Sequence, residues 1–161
     1  MTDTFVNIKK KFFWADIVYV GGGNTKSMLN KWAYKKIEKN FVDFFRNEKL
    51  LSGISAGAKC WFKYILLEDK KNKTFELIEN SKMAFLDGLF IPHFKLEQDK
   101  YLIDAIFSIS PNFSRPIFAV TDCCALYFSK NNSISVLKSK KEAKAFIIDK
   151  KNGQINYKEL I

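Results

Sequence analysis

Long apolar runs are missing from this sequence. Its longest stretch without a charged residue covers residues 105–114, far short of the ~20 apolar residues that cross a bilayer as a helix. No basic n-region, apolar h-region and small-residue cleavage site open the chain, so the expectation is a cytoplasmic protein without a membrane partner. Cysteine is scarce. Cys60, Cys123 and Cys124 are odd in number, two of them are adjacent, and no CxxC spacing occurs. This argues against a disulfide framework and a zinc ribbon, and no metal site is expected. Arginine is nearly absent: of 27 basic residues only Arg46 and Arg115 are arginine, leaving 25 lysines. Surfaces that clamp phosphates or read bases favour arginine, whose planar fork donates two hydrogen bonds at once. The net charge of +10 is therefore read as lysine bias on a solvated surface, which weighs against a nucleic-acid partner. The densest basic stretch, Lys138, Lys140, Lys141 and Lys144, is where a polyanion would bind at low salt. Histidine is all but missing too, with His93 alone in the chain.

Against these absences stand 47% hydrophobic and 16% aromatic residues in a chain of 161. That is enough to bury a core and too apolar for an intrinsically disordered chain. The length suits one domain, and no repeat, low-complexity tract or linker divides residues 1–161.

Residues 17–20, IVYV, form a short β-branched run ending in Gly21-Gly22-Gly23, as a strand buried in a parallel sheet does. Helical spacing follows over residues 26–47, as one broken helix or two short ones. A short strand around Leu50-Leu51, then Gly53, leads into a second helical start over residues 56–64. Strand, glycine turn and helix thus occur twice, which predicts a βαβ arrangement. Residues 70–73 read as a charged loop, and residues 75–80 and 83–91 hold short apolar runs. A helix is predicted over 96–108 and a buried strand over 117–121. A hairpin is predicted over 125–128 and 133–137 around Asn131-Asn132, and a last strand over 143–148. The predicted class is α/β, with a mostly parallel sheet flanked by helices in three layers.

Gly53-Ile54-Ser55-Ala56-Gly57 matches G-x-S-x-G. A serine lifted out of a sharp strand-to-helix turn needs small neighbours, because its backbone is strained and a Cβ on either side would clash. A plain tight turn is the alternative reading. A serine becomes a nucleophile only with a base in reach, and His93, at the end of an apolar run in Ile91-Pro92-His93-Phe94, is the one candidate. A parallel strand would bring it to the sheet edge that carries Ser55. A carboxylate must then orient the imidazole. Asp69 is preferred, with Glu68 close behind, and Glu97 and Asp99 are weaker choices. Gly21-Gly22-Gly23 fits neither a Walker loop, since Thr25 precedes Lys26-Ser27, nor the dinucleotide fingerprint, since Lys26 occupies its last glycine position. Amides of Gly22 or Gly23, with that of Ala56, would instead suit an oxyanion hole.

Val20-Gly21-Gly22-Gly23-Asn24-Thr25, Gly53-Ile54-Ser55-Ala56-Gly57-Ala58 and Pro92-His93-Phe94, in that order, resemble the peptidase S51 family, which includes dipeptidase E and cyanophycinase. The resemblance implies a flavodoxin-like fold of the class I glutamine amidotransferase type. It also implies a serine peptidase with Ser55 as nucleophile, His93 as base, and an oxyanion hole at Gly22, Gly23 and Ala56. Asn24 is implied to lie near the substrate, a small and possibly aspartyl peptide, with no metal or cofactor. Two departures accompany it. Family members carry further elements before the GGG strand, whereas only about fifteen residues precede it here. The corresponding expectation is an N-terminally shortened domain with an exposed strand, which invites homo-oligomer formation. Its extreme form is a catalytically silent relative acting as a binding or assembly module. The second departure is the acid, since Glu68-Asp69 align in more than one way and Lys63, Lys70 and Lys71 surround them.

Overall fold

β-branched and aromatic residues make β1 (Ile17–Val20), which pairs in parallel with β2 (Leu50–Gly53), Ile17 opposite Leu50 and Val20 opposite Gly53. The structure, a computed structural model, describes residues 5–69, 71–72 and 74–161. They fall into two compact units. One runs to Lys63 and takes in Asn80–Leu86; the other comprises Tyr64–Glu79 and Asp87–Ile161.

In the first unit, α1 (Phe5–Trp14) precedes β1, a helix that the sequence reading did not assign. Phe12 packs edge-on against Phe41 and Phe44, with centroids 4.9 and 5.8 Å away. Lys49 Nζ donates to the Phe13 and Ala15 carbonyls at the helix end (2.7 and 2.5 Å), satisfying groups a helix terminus leaves open. The helical stretch after the glycines is two helices, α2 (Thr25–Tyr34) and α3 (Glu38–Arg46). They separate at Lys36, whose φ of 53° is left-handed. Lys36 N donates to Ala33 O and Ile37 N to Trp32 O, a Schellman closure made without the usual glycine. α3 buries Phe41 and Phe44, and Phe41 packs edge-on against Trp61 with centroids 5.4 Å apart.

The helix predicted over 56–64 is a correction. Only α4 (Ala56–Lys59) is helical, and β3 (Phe62–Asp69) follows. The buried Asn80 amide donates to the Cys60 carbonyl at 2.7 Å, taking an acceptor that a continuing helix would need. The aromatic and β-branched run that follows packs better on a sheet.

The second unit is built on a sheet in the order β10-β9-β6-β5-β3-β4. Its strands are β3, β4 (Thr74–Glu79), β5 (Leu86–Ile91), β6 (Ile117–Val120), β9 (Ala145–Lys151) and β10 (Gln154–Leu160). The α/β class is as expected, and the directions are mixed. β5 and β6 run parallel, whereas β3–β4, β6–β9 and β9–β10 are antiparallel. Strand β10 lies beyond the strand read as last. Asn152 and Gly153, both at positive φ (52° and 80°), make the tight turn that admits it, as an Asn-Gly hairpin does. β7 (Cys124–Phe128) and β8 (Ile134–Lys138) form the hairpin predicted around Asn131-Asn132. α5 (Lys100–Ile109) sends Ile103 and Ile106 into a core with Leu89, Ile91, Phe94, Ile117 and Ile148. Of the predicted charged loop, Lys70 and Lys73 lie outside the described residues. No helix among the described residues is long and apolar enough to cross a membrane.

Candidate active site

The first unit presents the serine through its backbone. Ser55 sits between β2 and α4 with φ 54° and ψ −118°, a conformation that costs a non-glycine residue ~1–3 kcal/mol. Its surroundings leave no space for side chains on the flanking glycines. A Cβ on Gly53 would fall 2.2 Å from the Gly57 carbonyl oxygen, and one on Gly57 would fall 2.1 Å from the Val20 carbonyl oxygen. The two glycines of G-x-S-x-G are therefore contact requirements between β1, β2 and α4. The Ser55 side chain makes no capping bond to α4, which leaves the hydroxyl uncommitted to the helix.

The amides around the serine are likewise accounted for. Gly57 N donates to Ile54 O at 2.9 Å, and Ala58 N and Lys59 N both donate to Ser55 O at 3.1 Å. The Ala56 N–H has no acceptor among the described residues. As α4 is a single turn, individual N–H groups rather than a helix dipole adjoin the serine. Because β1 and β2 are parallel and in register, the glycine run after β1 reaches the same end. A Cβ on Gly22 would stand 3.3 Å from the Ser55 Cβ. Gly23 has φ 147°, open chiefly to glycine. Asn24 caps α2, its Oδ1 accepting from Ser27 N at 2.8 Å. Gly22, Gly23 and Asn24 also border an open hollow of about 260 Å³, walled by Met28, Lys31 and Trp32 of α2.

The second unit presents the histidine through side chains. Parallel pairing sets Ile91 opposite Ala119, so the segments leaving β5 and β6 emerge at one edge. His93 leaves β5 with φ 60°, and Phe94 N donates to Val120 O at 2.8 Å. From the end of β6, Asp122 Oδ1 meets His93 Nδ1 at 2.5 Å. A carboxylate only accepts, so in the neutral imidazole Nδ1 carries the proton and Nε2 keeps its lone pair. The two side chains are 52% and 68% exposed. So exposed a pair contributes only ~0–1 kcal/mol to stability, and its consequence is orientation.

The carboxylate beside His93 is thus Asp122, which the sequence reading did not name. Asp69 closes the β3–β4 connection instead: its Oδ1 accepts from Lys71 N and Asn72 N (3.0 and 3.2 Å), its Oδ2 from Asn72 Nδ2 (2.8 Å). Glu68 stands opposite Phe75 of β4. Partial burial, then the charges of Glu68 and Asp99, push the Tyr101 phenol up. Glu97 pairs with Lys100 at 3.2 Å, and Asp99 accepts from Lys95 N at 2.7 Å. Of the surrounding lysines, Lys70 is outside the described residues. Asp122 had a readable signal, since it lies two residues past a buried parallel strand, as His93 does. Among the described residues no group of three His, Cys, Asp or Glu side chains could hold a metal ion.

The sequence profile of peptidase family S51 matches residues 1–136. The chain is 32% identical over 131 residues to the uncharacterized peptidase YgaJ of Bacillus subtilis (strain 168), covering 81% of this chain and 55% of that protein. The chain therefore spans about half the length of this curated relative. A crystallised protein from Listeria monocytogenes EGD-e, described as a candidate peptidase E, shares the fold. Its TM-score is 0.58 at 19% identity, over 99% of this chain and 67% of that one. By the profile match, which covers most of its length, the chain belongs to peptidase family S51.

Proposed function

We propose that the chain acts as a cytoplasmic serine peptidase of the dipeptidase E type, cleaving short peptides, aspartyl ones among them, through an acyl-enzyme. The observation that carries the reading is Ser55 itself, held at positive φ between glycines that have no room for a Cβ. That geometry suits a nucleophile elbow, and family membership supports hydrolytic chemistry.

Ser55 Oγ attacks the scissile carbonyl carbon while its proton passes to His93 Nε2. The developing oxyanion is held by the N–H of Ala56 and that of Gly22 or Gly23, donors worth ~3–4 kcal/mol each in comparable sites. The imidazolium, steadied by Asp122, returns the proton to the leaving amine as the C–N bond breaks. Water then repeats the sequence on the ester, releasing the acid and restoring Ser55. Asp122 here takes the role first assigned to Asp69 or Glu68.

The test is covalent labelling by a serine-directed phosphonate, read by intact mass on samples that melt cooperatively. One adduct on the wild type and none on Ser55→Ala is the expected result. A wild type that melts cooperatively and takes no adduct would replace this reading with that of a silent binding module.

A further inference from the structure

The His93–Asp122 pair poses a physical problem that its own contacts do not solve. Both side chains are more than half exposed, so burial does not hold them, and the aspartate lies in a connection between β6 and β7. A carboxylate on a loose connection would lose its partner to water. The backbone on either side of Asp122 is, however, tied down to a single segment, the turn between β8 and β9.

On one side, Thr121 N donates to Lys144 O at 2.9 Å. Lys144 N in return donates to Thr121 Oγ1 at 2.9 Å, and that hydroxyl donates onward to the Asp122 carbonyl at 3.1 Å. On the other side, the Cys123 carbonyl accepts from Ser139 N at 3.0 Å and from Ser139 Oγ at 3.4 Å. Cys123 itself has φ 64°, a left-handed conformation that a cysteine keeps only when its neighbours impose it. The turn is closed by Ala143 N donating to Lys140 O at 3.2 Å, and Ala143 is buried. The Thr121 hydroxyl is the junction of this arrangement, acting as acceptor to the turn and as donor to the residue that bears the carboxylate.

We propose that Thr121 is a positioning residue, whose hydroxyl ties the Ser139–Lys144 turn to Asp122 and so holds the carboxylate on His93 Nδ1. The catalytic meaning of the clamp rests on the peptidase reading; the clamp itself does not. β-branching adds to it by restricting χ1 of Thr121. The hydroxyl and the bulk of this side chain can be separated, since valine keeps the shape and loses both hydrogen bonds, while serine keeps the hydroxyl and loses a methyl group.

The single histidine makes the test clean, because every imidazole nitrogen resonance belongs to His93. Nitrogen-15 NMR of the full chain is recorded for wild type, Thr121→Val and Thr121→Ser, beside the rate of phosphonate labelling. Wild type and Thr121→Ser are expected to show the Nδ1–H tautomer with a hydrogen-bonded proton at low field. Thr121→Val is expected to lose that proton signal, mix the tautomers and label about ten- to a hundredfold more slowly, the range for a displaced catalytic group. A folded Thr121→Val with the wild-type spectrum overturns the proposal, as does a Thr121→Ser that behaves like valine. Should valine prevent folding, Thr121→Ala keeps the backbone pairing with Lys144 and carries the same expectation. A wild type that takes no phosphonate sinks the peptidase reading alone, since the imidazole spectra still decide the clamp.

Discussion

The two units place Ser55 and His93 by opposite means. In the serine-bearing unit the backbone does the placing: parallel register, a strained Ser55 and glycines that let β1, β2 and α4 approach within the reach of a methyl group. In the histidine-bearing unit the strands only bring two loops to one edge, and side-chain hydrogen bonds finish the geometry. Backbone placement is rigid and unforgiving, because a misfit Cβ meets carbonyl oxygens that cannot rotate away. Side-chain placement costs little stability and is lost by changing a single polar atom.

The largest effect falls within the histidine-bearing unit, which holds both carboxylates, Asp122 and Asp69. Asp122→Asn turns an acceptor into a side chain that can present an amide to Nδ1, favouring the wrong imidazole tautomer. Peptidase turnover is expected to fall roughly 10³–10⁴-fold, with Tm almost unmoved because the pair is exposed. Asp69→Asn is the counterpart. It disturbs the β3–β4 connection, and turnover is expected to stay at the wild-type level. Equal losses in both variants would restore Asp69 to the catalytic role.

Next in size is the glycine contrast. Gly57→Ala and Gly53→Ala each drive a Cβ to little more than 2 Å from backbone oxygen and should cost roughly 1–3 kcal/mol or more by overpacking. Gly21→Ala meets nothing within 4 Å, and its cost should stay within about 0.5 kcal/mol. Denaturant titration of the three variants checks this, and equal stabilities would mean that the junction yields easily.

The smallest effect concerns the cysteines. Cys60 is buried, its thiol donates to Gly57 O at 3.0 Å, and burial pushes its pKa far up. Cys123 is exposed. An alkylating reagent should modify Cys123 in the native chain and Cys60 only after unfolding, as peptide mapping would show. Because the folded state holds the Cys60 proton more tightly than the unfolded chain, this contribution is complete below the ordinary thiol pKa near 9. It fades as the pH rises above that value.

How much of this was legible in the sequence varied with the range of the interaction. The strand at residues 17–20, the break within residues 26–47 and the hairpin around Asn131-Asn132 announce themselves through neighbouring residues. The β9–β10 hairpin does so as well, in Asn152-Gly153 between alternating runs. α4 was overextended because Ala56–Lys59 is helical by propensity, while the Asn80 amide that claims the Cys60 carbonyl comes from 20 residues away. The same holds for the carboxylates, since chain order favours Glu68-Asp69 while the one that meets His93 in space is Asp122.

The sequence by itself determined the α/β class, the glycine spacing that shapes the turn at Ser55, and the uniqueness of His93. These follow from local sterics and composition, which covalent neighbours carry with them. Only the tertiary structure decided that Asp122 meets His93 and that the turn Ser139–Lys144 ties the backbone on both sides of it. Those contacts join residues 29 and 23 positions apart. Strand register, set by burial of the whole core, is what brings such distant residues into hydrogen-bonding distance.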